Sequence, residues 1–485
     1  MSAHPDIEAV IGLEVHAELL TRAKIFCGCS AAFGGPPNTN VCPVCLGMPG
    51  VLPVLNRRVV EFAIRAGLAT HCDIAERSRF ARKNYFYPDL PKGYQISMYE
   101  LPICIGGYLE VLVDGETRRI GLTRIHMEED TGKNIHDAHG DASLVDFNRS
   151  GVPLLEIVSE PDMRTVEEAG AYLRTLRSII QYLEICDGNM EEGSFRCDAN
   201  VSVRPRGTAA LGTKVEVKNM NSFRAVEKAI AFEIARQGEA LRTGEKLRQE
   251  TRLWDADREE TRPMRSKEQA HDYRYFPEPD LLPLVVPRAW VDEVRRGLPE
   301  LPARRRDRYV RAHGLSPYDA DVLTQRKDVA DYFEAMLADG APAKEAANWI
   351  MTELLRIVRE EKLDDALVIR DWPLSAAQLA KLVRLVQEGT INRNTAKGLI
   401  PRLRGTATDP AELVQAEGLG QVSDVGALEA AVADVIARHP AQVAEFRSGK
   451  DRVIGFLVGQ VMKATKGKGN PQLVQEVLRK ALGAS

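Results

Sequence analysis

The sequence predicts an α+β protein in which a sheet-containing N-terminal part precedes an all-helical C-terminal part. Residues 10–19 alternate apolar and polar side chains, as a half-buried strand does, and further β-rich segments continue to residue 218. From about Leu298 the chain becomes helical and rich in alanine. A linker-like Gly-Thr-Ala-Thr stretch begins at Gly405. We therefore predict three domains, residues 1–295, 296–405 and 406–485.

Length, charge and hydropathy exclude several classes of protein. At ~100–200 residues per domain, a chain of 485 residues holds several domains, each able to bury its own core. No segment approaches the ~18 uninterrupted apolar residues of a membrane span, and the first residues lack the features of a secretory signal. We therefore expect a cytoplasmic protein without a membrane partner. The formal net charge of −4 is close to balance, so any nucleic-acid surface must be local.

The first predicted strand carries chemistry on its polar face. Its apolar side chains point to one side, and they are Ile11, Leu13, Val15, Ala17 and Leu19. Glu14, His16 and Glu18 point to the other side. Two carboxylates and an imidazole in a row suit a metal or acid–base site. The alternative is an ordinary solvated strand face.

Four cysteines follow this strand at metal-ligand spacing. Cys27 and Cys29 form a CxC pair, and Cys42 and Cys45 form a CxxC pair after a loop rich in glycine and proline. Because cytosolic cysteines are normally reduced, such pairs indicate metal rather than disulfides. We predict a structural zinc site that closes the loop at 27–45, since four sulfur ligands leave no open position for catalysis. Four thiols without metal are the alternative.

A competing interpretation treats the zinc as catalytic. The order His16-x-Glu18, then Cys42-x-x-Cys45, resembles the signature of zinc deaminases. That signature requires proline before its first cysteine, and this chain has Val41 there. The His-x-Glu pair also belongs to a strand pattern, and two further cysteines compete for the ion. We therefore expect the structural site.

The stretch 78–95 combines cations, aromatic rings and prolines without a helix or strand pattern. It includes Lys83, Tyr85 and Lys92. Cations alternating with aromatic rings suit contact with phosphates and stacked bases. The alternative is an exposed loop whose rings fold back on a sheet.

A second group of acids ends a predicted hairpin. The β-rich segments 108–113 and 118–125 flank Asp114-Gly115, which favours a tight turn. The second segment runs into a string of acids that includes Glu128 and Glu129. With Glu14, these carboxylates are ligands that suit Mg²⁺. His16 is an atypical Mg²⁺ ligand and could instead lie beside the ion.

The middle of the chain supplies further strands, helices and polar candidates. Residues 154–159 predict a buried strand, Thr165 and Glu168 form a capping box for a helix, and another helix follows Phe223. Residues 195–203 and 215–218 predict paired strands. Their polar candidates for the site are Arg196, Asp198, Asn200 and Lys218. By composition, the segments around 250–252 and 261–280 predict solvated loops.

The C-terminal part predicts capped helices that end in a basic surface. Ser316-Pro317, Ser375 with Gln378, and Asp409-Pro410 mark helix starts. The last two amphipathic helices lie among cations, of which we predict that Lys450, Arg452, Lys463, Lys466 and Lys468 contact a phosphate backbone. A solvated lysine face is the alternative.

Several long motifs together resemble one known family. The sequence has no GxxxxGK[ST] phosphate-binding loop. The motifs are IGLEVH at 11–16, RKNYFYPD at 82–89, HMEED at 126–130, RCDAN at 196–200, DYRYFPEPD at 272–280, GFLVGQ at 455–460 and NPQLV at 470–474. They resemble the B subunits of bacterial glutamyl/aspartyl-tRNA amidotransferases. The resemblance covers essentially the whole chain.

This resemblance implies a fold, a reaction and partners. The N-terminal part would be a cradle domain related to glutamine synthetase, with a mainly antiparallel sheet. It would use ATP and Mg²⁺ to phosphorylate the side-chain carboxylate of misacylated Glu-tRNA(Gln) or Asp-tRNA(Asn), and ammonia would then displace the phosphate. An amidase-fold A subunit would release the ammonia from glutamine and deliver it through a channel. A small C subunit would brace the assembly, the helical and tail domains would hold the tRNA, and the cognate non-discriminating aminoacyl-tRNA synthetase is a further candidate partner.

The resemblance also implies residue roles. Its pattern places metal ligands at Glu14, His16, Glu128, Glu129 and Asp198. The family's active-site and channel motif covers Lys83, Tyr85 and Lys92, and we add Arg196 as a predicted phosphate contact. Only some members of the family carry the four cysteines, so we expect their zinc to be structural. The alternative function is a scaffold that binds tRNA without catalysis.

Overall fold

The chain forms two compact units, Met1–Pro302 and Ala303–Ser485. The computed structural model describes residues 7–136, 142–264, 273–363, 369, 371–420, 425–448, 450–465 and 471–483. Within these ranges the strands occur in the first unit, and the second unit is built of helices. The predicted α+β class is therefore confirmed. The predicted boundaries at 295 and 405 stay predictions.

The first unit is built around a large sheet. Its strands are β1 Ile7–Glu18, β2 Asp73–Ile74, β3 Arg77–Asn84, β4 Tyr94–Leu101, β5 Cys104–Ile105, β6 Tyr108–Val113, β7 Glu116–Glu129, β10 Pro153–Ser159, β11 Phe195–Pro205, β12 Val215–Lys218, β13 Glu250–Asp255, β14 Glu260–Pro263, β15 Phe276–Pro277 and β16 Leu284–Val285. A separate sheet of two strands consists of β8 Lys133–His136 and β9 Ser143–Asp146. The main path runs β14-β13-β12-β11-β1-β10-β7-β4-β3-β15. Among the described strands only β12 and β13 pair in parallel, so the sheet is mainly antiparallel.

Strand β1 lies in the interior of this sheet because it has a pairing strand on each side. It pairs antiparallel with β11 from Ile7 to Ala17 and with β10 from Glu14 to Glu18. The predicted apolar side is buried, with Leu13 1% exposed, and this face contributes to the main core. The polar side stays partly exposed, as the alternation predicted.

Helices complete the core of the first unit. They are α1 Arg57–Ala69, α2 Val166–Tyr182, α3 Phe223–Thr243 and α4 Arg288–Arg296. Helix α2 begins with the predicted capping box, in which Thr165 Oγ1 accepts from the Glu168 backbone N–H at 3.1 Å. The predicted hairpin joins β6 to β7. Asp114 and Gly115 have φ values of 51° and 81°, the left-handed conformation that such a turn requires.

Two stretches predicted as irregular are strands. Residues 77–84 and 94–101 are β3 and β4, and a register shift between Arg79 and Ala81 interrupts the alternation that would have indicated them. Residues 250–255 and 260–263 are β13 and β14 at one end of the sheet path. An outer strand tolerates charged side chains, so its composition resembles that of a loop.

The second unit consists of helices whose starts follow the predicted caps. They are α5 Pro302–His313, α6 Pro317–Thr324, α7 Lys327–Ala338, α8 Ala343–Trp349, a π-helical turn Ile350–Leu354, α9 Leu355–Glu361, α10 Ala376–Gln387, α11 Arg393–Leu403, α12 Pro410–Ala416, α13 Val425–Arg438, α14 Pro440–Arg447, a 3₁₀ turn Asp451–Val453, α15 Ile454–Ala464 and α16 Pro471–Leu482. Ser316, Ser375 and Asp409 cap α6, α10 and α12 as predicted.

The helical unit contains two hydrophobic clusters. One extends from Tyr309 to Val414, and the other extends from Leu428 to Leu482. Helix α12 packs against α10, and α13, α15 and α16 pack together. Within the described residues, no helix combines the length and the apolarity needed to cross a membrane.

We expect Leu13→Ala to destabilise the sheet strongly, because it opens a cavity beneath the central strand. Its cost should be ~2–5 kcal/mol of unfolding free energy in the first unit. Hydrogen exchange of peptides that cover residues 7–18 and 153–159 measures this loss. Leu112→Ala, at a side chain 43% exposed on β6, is the matched control and should change it by no more than ~0.5 kcal/mol. Equal effects of the two substitutions would contradict the assignment of the buried face.

Candidate active site and cysteine centre

The register of the central strands brings ionisable side chains into one row. His16 on β1 lies opposite Arg196 on β11 and Glu156 on β10, and Glu156 lies opposite His126 on β7. Directly paired residues of antiparallel strands share one face of a sheet. Glu14 precedes His16 by two residues, so it shares that face as well.

Three carboxylates surround the His16 imidazole. Its Nε2 lies 3.5 Å from Glu156 Oε2, 3.7 Å from Glu14 Oε1 and 3.8 Å from Glu128 Oε1. The Nε2 of His126 lies 3.6 Å from an oxygen of Glu128 and 3.6 Å from one of Glu156. We call these five residues the acid–histidine cluster. Glu156 belongs to both halves and connects them.

Burial and mutual charge set the protonation of the cluster. Burial alone would lower the pKa of His16, but the Glu156 carboxylate beside it and the charges of Glu128 and Glu14 outweigh burial and raise that pKa to about 9. Burial alone would raise the pKa of Glu156, but the charge of His126 and the contact with His16 outweigh burial and hold that pKa below its ordinary value. Burial and the Glu156 charge raise the pKa of Glu14.

The cluster fits a hard divalent cation. His126 is fully buried, and both its ring nitrogens and Glu128 Oε2 have no hydrogen-bond partner within the described structure. Buried polar atoms without hydrogen-bond partners are costly, so His126 Nε2 and Glu128 Oε2, which lie 3.6 Å apart, are candidate ligands of one ion. Carboxylate oxygens are preferred by Mg²⁺, and the imidazoles add nitrogen donors. Glu14, His16 and Glu156 can hold one ion, and His126, Glu128 and Glu156 form an overlapping set.

Two residues predicted as metal ligands have other partners. Asp198 lies opposite Glu14 across β1 and β11, and its Oδ2 accepts from Lys218 Nζ at 2.6 Å. Glu129 follows Glu128 on β7, so its side chain points to the opposite face of the sheet. There Glu129 binds Lys92 and accepts from the Ile96 backbone N–H at 2.8 Å. The structure therefore does not bring Glu129 into the cluster.

Arg196 lies at the edge of the polar face in a second charged group. Its guanidinium donates to Asp130 at 2.8 Å and to Glu18 at 3.4 Å. Burial and the nearby Asp130 raise the pKa of Glu18 to about 8. Arg149 approaches Asp130 at 3.7 Å from the other side. Arg196, predicted as a phosphate contact, is thus held by two acids.

Lys83 and Tyr85 lie towards the other edge of the same face. The Lys83 ammonium lies 4.9 Å from the ring centre of Tyr273 and 5.9 Å from that of Tyr85. Tyr85 donates its hydroxyl to Gln95 at 3.3 Å, and burial raises its pKa far above the ordinary value. Both residues therefore flank the acid–histidine cluster rather than belong to it.

Sequence reasoning missed Glu156 and His126 as members of the cluster. Glu156 lies inside the buried strand Leu154-Leu155-Glu156-Ile157-Val158. A carboxylate within an apolar strand is costly unless it has a partner, and this was the available signal. His126 lies at the pairing position opposite Glu156. Strand pairing, which the sequence does not specify, was needed to recognise it.

The four predicted cysteines come together in the first unit. The sulfur atoms of Cys27, Cys29, Cys42 and Cys45 all lie within 4.8 Å of one another. Tetrahedral zinc, with Zn–S bonds of ~2.3 Å, places its sulfur ligands about 3.8 Å apart. This arrangement can therefore hold zinc. The deaminase interpretation is wrong, because His16 joins the carboxylates and the CxxC pair joins the other two cysteines.

A buried lysine accompanies the cysteine centre. Lys24 is fully buried, and its Nζ lies 3.7 Å from Cys45 Sγ and 3.4 Å from the Phe147 carbonyl oxygen. A hydrogen bond from the Cys27 thiol lowers the pKa of Cys45 to about 4, and the Lys24 charge adds to this effect against burial. A buried ammonium requires compensating negative charge, which thiolates supply.

A cavity of about 190 Å³ connects the cysteine loop with the sheet face opposite the cluster. Lys24, Cys45, Lys92 and Glu129 contribute to its lining. Gly47 of the cysteine loop has φ +66°, and a Cβ at this position would collide with Lys92. Only glycine therefore allows this close approach without strain.

The predicted tRNA contacts of the tail lie partly within the described chain. Lys450, Arg452 and Lys463 are exposed. Lys450 pairs with Glu445 at 3.7 Å. Lys466 and Lys468 lie outside the described residues.

Comparison with known proteins identifies the family. The model of the GatB/GatE catalytic domain matches residues 9–292, and the model of the GatB domain matches residues 331–482. The chain belongs to the GatB family. The aspartyl/glutamyl-tRNA(Asn/Gln) amidotransferase subunits B of Geobacter sulfurreducens and Solidesulfovibrio magneticus are 59% and 58% identical to it, each over 98% of this chain and 99% of the relative. The subunit from Thermodesulfovibrio yellowstonii is 56% identical with the same coverage.

The buried lysine gives a test of the cysteine centre of this GatB chain. We expect Lys24→Met to weaken zinc binding by roughly 10- to 100-fold, as the removal of outer partners of metal ligands does. Competition with a chromophoric chelator measures the affinity. Lys246→Met, at an exposed lysine, should leave it unchanged. Unchanged zinc affinity in Lys24→Met would show that the ammonium does not compensate the thiolates.

Proposed function

We propose that this chain is the subunit of a tRNA-dependent amidotransferase that activates and amidates the misacylated amino acid. The substrates are ATP, ammonia and Glu-tRNA(Gln), Asp-tRNA(Asn) or both. Membership of the GatB family supports the reaction, and the acid–histidine cluster on the central strands is the observation that supports its location in this chain. A scaffold that only binds tRNA would have no need for three carboxylates beside buried imidazole nitrogens that lack hydrogen-bond partners within the described residues.

The chemistry requires charge neutralisation near the cluster. A carboxylate is a poor electrophile, so phosphorylation by ATP converts one of its oxygens into a leaving group, and ammonia then attacks the acyl phosphate. Mg²⁺, when bound, neutralises charge on the transferred phosphoryl group. Glu14, Glu128 and Glu156 would hold it, with His16 and His126 beside them. A role for Asp198 as a ligand stays a proposal from family resemblance, whereas Glu129 would act on the opposite face through its ion pair with Lys92.

Residues on the flanks of the cluster would position the substrates. Lys83 would approach phosphate oxygens, because it has no ion pair among the described residues and lies on the same face as the cluster. Tyr85 would orient the substrate beside it. Arg196 would bind a phosphate only after it gives up its ion pair with Glu18 or with Asp130. Lys92 would line the path of ammonia on the opposite face.

Ammonia and support would come from partner subunits. An amidase-fold A subunit would hydrolyse glutamine, a small C subunit would brace the complex, and the cognate aminoacyl-tRNA synthetase is a further candidate partner. The mainly antiparallel sheet supports a cradle of the glutamine synthetase type. The four cysteines would hold a structural zinc, because a centre with four sulfur ligands has no open position.

We expect the complex of this chain with its A and C subunits to form Gln-tRNA(Gln), Asn-tRNA(Asn) or both from ATP, Mg²⁺ and either glutamine or ammonium. Product formed with ammonium alone would locate activation and transfer in this chain. We expect Glu128→Gln and Glu129→Gln to abolish amide formation while tRNA still binds, measured as radiolabelled amide and by filter binding. Glu110→Gln, at an exposed side chain of β6, is the control. Full activity of Glu128→Gln would contradict the location of the active site.

The basic tail should make tRNA binding dependent on salt. We expect replacement of Lys450, Arg452 and Lys463 by alanine to weaken binding at low salt. It should also reduce the slope of log K against log[salt] by about 0.7–0.9 for each phosphate that is no longer neutralised. Fluorescence anisotropy with labelled tRNA from 50 to 200 mM salt, roughly the range over which such charges are screened, measures this slope. An unchanged slope would refute the predicted role of the tail.

A further inference from the structure

A continuous row of tyrosines borders the acid–histidine cluster. The rings of Tyr99 and Tyr275 stack with centres 5.2 Å apart and an interplanar angle of 15°. Tyr275 meets the edge of Tyr273 at 6.0 Å, and Tyr273 meets that of Tyr85 at 5.9 Å. We call Tyr85, Tyr99, Tyr273 and Tyr275 the aromatic row. Metal binding by the cluster does not by itself explain why four rings adjoin a polar site.

Strand register places this row on the same face as the cluster. Ser97 of β4 lies opposite Glu128 of β7, and Tyr99 follows Ser97 by two residues. The ring of Tyr99 reaches His126, with the two ring centres 6.1 Å apart. Lys83 of β3 lies opposite Gln95, which precedes Ser97 by two residues. The row and Lys83 therefore extend the polar face from β7 across β4 and β3.

The charges along the row suit a ligand with one phosphate. Arg124 lies 4.4 Å from the ring centre of Tyr99, but it also approaches Glu156 at 3.4 Å. Lys83 lies over Tyr273 and forms no ion pair in the described part of the chain. One cation without an ion pair among the residues described, beside aromatic rings, matches a base next to a phosphodiester. The several negative charges of a nucleoside triphosphate would have to be neutralised at the acid–histidine cluster, by Mg²⁺, rather than on this flank.

We propose that the aromatic row binds the adenine ring of the 3′-terminal adenosine of the tRNA, with Lys83 facing its phosphate. This inference rests on the proposed function, because it places the aminoacylated end of the tRNA beside the cluster. The amino acid is esterified to the ribose of that adenosine, so its side-chain carboxylate lies several bonds away from the base. Stacking on the face of Tyr275 that Tyr99 does not cover would hold the base outside the cluster and let the carboxylate reach it. Tyr99 is 43% exposed, so the stacked pair of Tyr99 and Tyr275 reaches the surface of the protein.

The test compares tRNA with and without its terminal adenosine, using the complex with the A and C subunits. Wild-type complex should bind the complete tRNA more tightly than the same tRNA ending at the preceding cytidine. The difference in affinity between the two tRNAs should be roughly tenfold, the size expected for stacking of one base on an aromatic ring. We expect Tyr275→Leu to remove most of this difference. Tyr275→Phe keeps the ring and should preserve it. Wild type, Tyr275→Leu and Tyr275→Phe should bind the shortened tRNA with the same affinity. A variant that failed to fold would bind both tRNAs more weakly.

Steady-state kinetics distinguish the two sources of adenine. We expect Tyr275→Leu to raise KM for the misacylated tRNA with little change in KM for ATP. A rise in KM for ATP with an unchanged tRNA difference would assign the row to ATP and overturn the proposal. An unchanged tRNA difference with both KM values unchanged would also overturn it, and would leave the row as a structural wall. If the wild-type complex formed no amide, the proposed function would fail, while the binding comparison would still test the row.

Discussion

The pairing of β1 with both β10 and β11 is the constraint on which the site depends. A slip of one residue would turn Leu13 and Val15 towards the polar side and Glu14 and His16 into the core. The cost of that exchange fixes the register. A fixed register in turn places Glu156 opposite His16, so the chemistry of the polar face is positioned by the burial of the apolar face.

The acid–histidine cluster concentrates charge that would be unfavourable in isolation. Three carboxylates within reach of His16 repel one another, and each loses solvation by burial. A protonated His16 offsets part of this repulsion. Mg²⁺ bound by the same oxygens would offset more of it, and His126 Nε2, which has no hydrogen-bond partner among the described residues, is consistent with such an ion. The stability of the cluster and its proposed role in phosphoryl transfer therefore depend on the same electrostatics.

Sequence analysis predicted the elements and ligands that a local pattern marks. It missed the members of the acid–histidine cluster that pairing between distant strands brings together. Alternation identified β1, caps identified the helix starts, and cysteine spacing identified the four sulfur ligands, because each signal lies within a few residues. Glu156 and His126 were missed because they meet Glu14 and His16 only through strand pairing. The strands around Lys83 were missed because a register shift disrupts their alternation. Family resemblance supplied the reaction, which no single motif in this chain could specify.

Strand β7 connects the two candidate sites of the first unit. Glu128 and Glu129 are adjacent in sequence, yet alternation directs Glu128 to the acid–histidine cluster and Glu129 to Lys92 beside the cysteine loop. A displacement of β7 would therefore move both carboxylates together. Because Lys92 also contacts the loop near Gly47, the cysteine centre restricts the position of the same strand from the opposite face. The proposed zinc centre would thus still affect the proposed reaction, since it would help to hold the strand that carries Glu128.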